Sequence, residues 1–180
     1  GSASTGLGIP SKRIRSVTGI VKAYCTRVGE GPFPTELSGE IDAKLRDAGR
    51  EYGTTTGRPR RCGWIDIPQL RYSLLLNGFD SLNLTKLDVL TGFEEVKIGT
   101  KYKLHGKEIT YMPSSLQEYA NVEVEFETMP GWQEDISKCR KFEDLPLNCQ
   151  RYVKRLEELL GHDMKWIGVG PGREDIIVKQ

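Results

Sequence analysis

The stretch from Asp144 to Gly161 restricts the possible folds more than any other part of this chain. Within it Cys149, Tyr152, Val153, Leu156, Leu159 and Leu160 recur at helical spacing and fall on one face. The spacing predicts a helix over about 145–160, capped by Asp144 and stopped by Gly161. Short apolar runs accompany it: Leu82 to Leu84 reads as a short buried strand, and Met164 to Val169 as a final one. Helix and strand signals alternate along the chain without repeats or low-complexity linkers, and that alternation is the pattern of an α/β fold.

The remaining elements are read the same way. The apolar run Val17 to Tyr24 is too short to assign, and Val28 to Pro34 must be irregular because glycine and proline break both periodicities. Residues 38–50 read as a polar, exposed helix, since Ile41, Leu45 and Ala48 make only a narrow stripe; Gly49 and Gly53 bracket its end. Asp66 is placed as the N-cap of a second helix, with Pro68 in its first turn. Leu70, Leu74 and Leu75 form its apolar face, and it ends near Gly78. Residues 94–104 and 107–112 read as a hairpin turning at His105-Gly106. Val122, Val124 and Phe126 alternate with Glu123, Glu125 and Glu127, the pattern of a half-buried strand with a solvated acidic row.

Chemistry is concentrated in Gly53-Thr54-Thr55-Thr56-Gly57-Arg58-Pro59-Arg60-Arg61. Glycine lets backbone N–H groups come close to a ligand. Threonine adds neutral donors, and arginine adds a planar fork that grips carboxylate or phosphate with two bonds. Such a loop suits an anionic small molecule; a solvated basic turn is the plain alternative. Leu84-Thr85-Lys86-Leu87-Asp88 is the second such segment, and resembles the guanine-reading motif of GTP-binding proteins. An ordinary exposed Lys and Asp in a turn is its alternative.

Together, five segments resemble the C-terminal part of the adenylosuccinate synthetase family: Val21 to Leu37, Thr54 to Trp64, Leu84 to Leu90, Met129 to Trp132 and Gly168 to Pro171. Order and spacing agree, and the resemblance covers almost the whole chain. It implies the C-terminal part of a P-loop-like, GTP-dependent ligase fold, a mixed sheet with flanking helices and a β-hairpin. That family joins IMP to L-aspartate at the expense of GTP, with Mg2+. The resemblance puts aspartate contacts at Thr54, Thr55, Thr56, Gly57 and Arg58. Arg58 also approaches IMP, while Val28 and Gly29 match backbone contacts to its ribose. Guanine-nucleotide contacts fall at Arg60, Lys86, Leu87, Asp88, Gly168, Val169, Gly170 and Pro171. A cytoplasmic homodimer is implied for the whole enzyme.

The departures matter too. Pro59 stands where relatives often carry a basic residue, and Gly168 where they often carry serine, so Gly168 can contribute only main chain. The family's N-terminal region, with its phosphate loop, catalytic Asp and catalytic His, is absent from these 180 residues, and no G-x-x-x-x-G-K run is present. The chain is therefore expected to be a single C-terminal fragment over 1–180, inactive alone, holding neither the catalytic residues nor the metal ligands. Mg2+ would be bound mainly through the missing region, and Gly1-Ser2 would fit a tag remnant.

A net charge of +1 argues against nucleic acid and against an anionic membrane as partners, although Arg58, Arg60 and Arg61 keep a nucleic-acid binder as a third reading. With 37% hydrophobic and 28% charged residues the chain belongs to the soluble globular class, and no apolar run approaches the roughly 20 residues that span a bilayer. Cys25, Cys62, Cys139 and Cys149 form no C-x-x-C pair, and neither His105 nor His162 stands at metal-ligand spacing to them; reduced thiols in the cytosol are the simpler account. Both histidines read as surface residues. A non-catalytic guanine-nucleotide-binding module is the alternative to a ligase fragment.

Overall fold

The computed structural model describes residues 2–179, so Gly1 lies outside the described residues. The chain runs α1 (Ser2–Leu7), β1 (Thr18–Lys22), β2 (Cys25–Arg27), α2 (Gly39–Gly49), β3 (Arg61–Gly63), β4 (Ile65–Asp66), α3 (Ile67–Asn77) and β5 (Ser81–Thr85). It continues through β6 (Glu95–Leu104), β7 (Lys107–Ile109), α4 (Leu116–Ala120), β8 (Glu123–Pro130), α5 (Leu147–Leu160), β9 (Met164–Gly168) and β10 (Ile176–Val178).

One sheet has the order β1-β5-β9-β10, with the first three strands parallel and β10 antiparallel at the edge. Parallel strands all end on the same side, so Lys22, Thr85 and Gly168 are brought to one end of the sheet. A second sheet is built on the long β6, which pairs with β4, β7 and β8, and β2 pairs with β3 in a two-stranded ribbon. This is the α/β fold expected from the alternating helix and strand signals, with the mixed sheet, flanking helices and hairpin that the family resemblance implies.

The expected stripe of α5 is the centre of the core: Cys149, Tyr152, Val153, Leu156 and Leu160 are buried, and Gly161 ends the helix in the left-handed region. The Tyr152 hydroxyl donates to the Ala23 carbonyl at 2.8 Å, tying the helix to the end of β1. Asp66 caps α3 by accepting from the Gln69 N–H at 3.1 Å, and its other oxygen takes the Tyr102 hydroxyl at 2.5 Å. His105 and Gly106 make the hairpin turn with positive φ of 52° and 75°.

Several elements differ from expectation for identifiable reasons. Asp144 does not cap α5; it closes a short 3-10 turn over Phe142–Asp144, where its carboxylate takes the Lys141 N–H at 3.1 Å, and Pro146 precedes the helix instead. Met164 to Gly168 is not the final strand, because the chain turns back at Gly170–Asp175 to add β10. Leu74 is buried but Leu75 is 80% exposed. Leu75 stands five residues past Leu70, about 140° around the helix, beyond the reach of the core. The acidic row also breaks. A register shift at Gly99/Lys101 of β6 faces β8, leaving Phe126 40% exposed and drawing Glu127 onto Arg155 of α5 at 2.9 Å. Ala48 is exposed.

Candidate functional site

Ligands of parallel α/β sheets gather where the strands end, because the loops there diverge. At the end of β5 the chain makes a tight exit: Lys86 adopts φ +60°, and Leu87–Leu90 form a 3-10 turn in which Leu87, Val89 and Leu90 are buried. Asp88 is the residue of that turn left half-exposed. Among the described residues its carboxylate makes no hydrogen bond or ion pair with another side chain. Burial pushes its pKa up, against its own backbone N–H and the nearby Lys86, which lower it. Leu87, fully buried, can offer a ligand only its main chain.

The end of β9 lies alongside. A methyl at Gly168 would stand 3.4 Å from the Thr85 Cα, so the two strand ends touch. Val169 is a core residue at 0% exposure, and its N–H is taken by the Asp175 carbonyl at 2.8 Å. Asp175 in turn accepts from the Gly172 N–H at 2.9 Å and pairs with Arg140 at 3.0 Å, which braces the Gly168–Pro171 loop from behind. The Met129–Trp132 segment is structural. Gly131 sits against the Phe93 carbonyl with no room for a side chain, and the Trp132 indole N–H donates to Thr91 Oγ1 at 3.1 Å, just past the Asp88 turn.

One functional candidate has no signature in the sequence. Glu51 is fully buried and gathers four groups from three segments: Lys86 Nζ at 2.7 Å, Arg60 Nη1 at 2.8 Å, and from the end of β1 Lys22 Nζ at 3.0 Å and the Tyr24 hydroxyl at 2.6 Å. Burial alone would raise its pKa, but the bonds from Lys86, Tyr24, Arg60 and Lys22 outweigh this and hold it at about 2. Lys86 Nζ also donates to the Gly49 carbonyl at 2.7 Å. Local pattern hides Glu51, since it follows a polar helix and looks like one more solvated charge. The only local clue is the left-handed turn at Arg50, which swings it inward.

The Thr54–Arg58 loop is its opposite in character. Its root is closed by a bridge between Tyr52 and Pro59 and by the Gly53 N–H on the Arg58 carbonyl at 2.8 Å. Thr54, Thr55, Thr56, Gly57 and Arg58 are all exposed, and among the described residues the Arg58 guanidinium has no partner. Gly57 needs its freedom, at φ +66°. Arg61, by contrast, is a structural residue: it grips Glu36 with two bonds and holds the Gly29 and Gly31 carbonyls at 3.1 and 2.8 Å. This fixes the exposed Val28–Gly29 turn close to the root of the basic loop.

Among the described residues no three His, Cys, Asp or Glu groups converge as metal ligands, and all four thiols are free. Burial raises Cys25 to about 12 and Cys62 to about 11. His105 is exposed in its turn, whereas His162 is half-buried, with its two ring nitrogens near the Leu160 and Phe79 carbonyls. A surface hollow lined by Pro68, Tyr72, Leu75, Ile109 and Tyr111 shares no residue with the groups above.

Fold and site together define an α/β protein with an unpaired carboxylate, a buried charge hub and a basic loop gathered near one end of its parallel strands. The family model for adenylosuccinate synthetase matches residues 1–177, and the chain belongs to that family. It is 60% identical to the adenylosuccinate synthetase of Paramecium tetraurelia, over 99% of this chain and 42% of that protein. It is also 60% identical to that of Phaeodactylum tricornutum, over 98% of this chain and 34% of that protein. The fully ligated adenylosuccinate synthetase of Plasmodium falciparum superposes with a TM-score of 0.95 at 46% identity, covering 98% of this chain and 43% of that one. The chain thus spans well under half the length of these relatives.

Proposed function

We propose that this chain is the aspartate- and guanine-nucleotide-binding portion of an enzyme that makes adenylosuccinate from IMP, L-aspartate and GTP. The observation that carries the reading is Asp88, a half-exposed carboxylate without a side-chain partner at the end of β5, with Lys86 and Gly168 beside it. A carboxylate accepts from both N1–H and the exocyclic amine of guanine, and adenine offers no such pair of donors. Lys86, tethered through its ammonium, presents its methylene stem as a wall for the base. Main-chain groups of Gly168–Pro171 line the other side.

In this reading Arg60 faces the phosphates, Val28 and Gly29 meet the IMP ribose, and Thr54 to Arg58 close on the aspartate carboxylates. The γ-phosphoryl of GTP passes to the IMP 6-oxygen, and the aspartate amine then attacks C6 and expels that phosphate. The part of these residues is to orient the reactants and hold negative charge; the proton-transfer groups come from outside this chain. Mg2+ would help to neutralise the phosphates, and the family resemblance puts its ligands mainly in the rest of the enzyme. The family resemblance supports a cytoplasmic homodimer as the working form. Free thiols suit a reducing compartment, and no described helix is long and apolar enough to cross a membrane.

Reconstitution tests the proposal. The purified chain alone should form no adenylosuccinate from GTP, IMP and aspartate, and adding the complementary N-terminal polypeptide should restore it. GTP binding without product in any reconstitution would favour a non-catalytic nucleotide-binding module.

A further inference from the structure

The Glu51 cluster holds more cations than its one buried carboxylate can neutralise. Lys22, Arg60 and Lys86 all lie within 3.0 Å of Glu51, which leaves a local surplus of +2 (3 − 1). Glu51 is wholly buried, while the three cations keep 29%, 30% and 36% of their side chains exposed, so the surplus faces outward. The anchor itself cannot drift. Its N–H donates to the Arg46 carbonyl at 2.8 Å, its carbonyl takes the Arg60 N–H at 2.9 Å, and Tyr24 holds Oε1. Arg60 spends Nη1 on Glu51, and its Nε is buried without a partner. Lys86 leaves β5 and Arg60 leaves the basic loop, so Glu51 is the group that fixes these two cations relative to each other.

We propose that Glu51 is a positioning residue for the nucleotide, setting the Lys86 stem and the Arg60 fork at a fixed separation before an anionic nucleoside triphosphate arrives. The inference rests on the guanine-site reading given above. Glu51 does not read the base; it sets the spacing between the wall that the base lies against and the fork that meets its phosphates. A carboxylate serving only as a stabilising counter-ion would support the whole fold and show no preference among substrates.

Substrate-resolved kinetics of Glu51→Gln in the intact enzyme carrying this sequence make the distinction. The amide keeps the shape but weakens the bonds to both cations. The KM for GTP should rise roughly ten- to a hundred-fold. The KM for inosine triphosphate should rise by the same factor, because base choice stays with Asp88, and the KM for aspartate should change by less than about twofold. In a Lys86→Ala, Arg60→Ala background the same substitution should add almost nothing, since nothing is left to position. A KM that rises equally for GTP and aspartate, together with a lower melting temperature, would overturn the proposal in favour of a purely structural role. Should the Gln variant not accumulate folded, Glu51→Asp, which keeps the charge but is one methylene short, is read against the same outcomes. If the unmodified enzyme gives no GTP-dependent product, the site reading itself fails; normal wild-type turnover with an unmoved KM for GTP in the variant sinks the Glu51 inference alone.

Discussion

At the exit of β5, Leu87, Val89 and Leu90 are buried to 7% exposure or less, and Lys86 is held by two acceptors. From Thr54 to Pro59 every residue is exposed, and the loop is held mainly at its root. These two regions, both ligand-facing in the proposed reading, are joined through Glu51, yet they are built in opposite ways. The first is fixed by the core before any ligand binds, so it loses little conformational freedom on binding and can discriminate sharply. The second has few contacts to hold a single shape, which is how low local stability shows in a structure. In the proposed reading its ligand would order it, which suits closing on a small diacid better than reading a flat base.

The rigid region carries the largest expected effect. Asp88→Asn swaps a double acceptor for a group that accepts and donates. In the intact enzyme it should weaken GTP use and favour xanthosine triphosphate, with a change of roughly ten- to a hundred-fold in preference. Competition assays between the two nucleotides measure it. If preference is unchanged, Asp88 does not read the base and the contrast between the regions loses its rigid member.

How legible each region was follows from the same contrast. Periodicity is a local signal, so the α5 stripe, the hairpin at His105-Gly106, the Asp66 cap and the β5 strand could all be read directly. Asp144 carries the same sequence signal for a 3-10 turn as for an α-helix N-terminus, and here the turn comes first. The strand β10 escaped notice because Ile176 to Val178 is too short to show a period. Glu51 was invisible because its partners, Lys22, Arg60 and Lys86, lie 29, 9 and 35 residues away and meet only in three dimensions. Lys86 and Asp88 stand out only through the family resemblance, since spacing alone favours an ordinary exposed turn.

The exposed loop carries the next effect. Arg58→Leu keeps some bulk but removes every donor, so the KM for aspartate should rise steeply while that for GTP stays near its wild-type value. Arg58→Lys should rescue poorly, because a point charge cannot reproduce a two-bonded fork. Varying each substrate in turn decides the matter. Equal losses for GTP and aspartate would mean that Arg58 supports the loop and that the two regions are not independent.

The smallest effect separates soft from rigid backbone directly. Gly57 has φ +66°, and a methyl there would meet nothing within 4 Å, so Gly57→Ala is opposed only by the backbone conformation, at about 1 kcal/mol. In an exposed loop, neighbouring residues can shift to relieve even that. The melting temperature should therefore barely move, while the KM for aspartate rises a few-fold because the closed loop is harder to reach. Gly131→Ala is the matched control, since its methyl would run into the Phe93 carbonyl behind the Asp88 turn, where packed backbone cannot yield. That variant should melt several degrees lower. A thermal shift for Gly57→Ala as large as that for Gly131→Ala would show that the loop is held as firmly as the core, and the difference drawn between the two regions would fall.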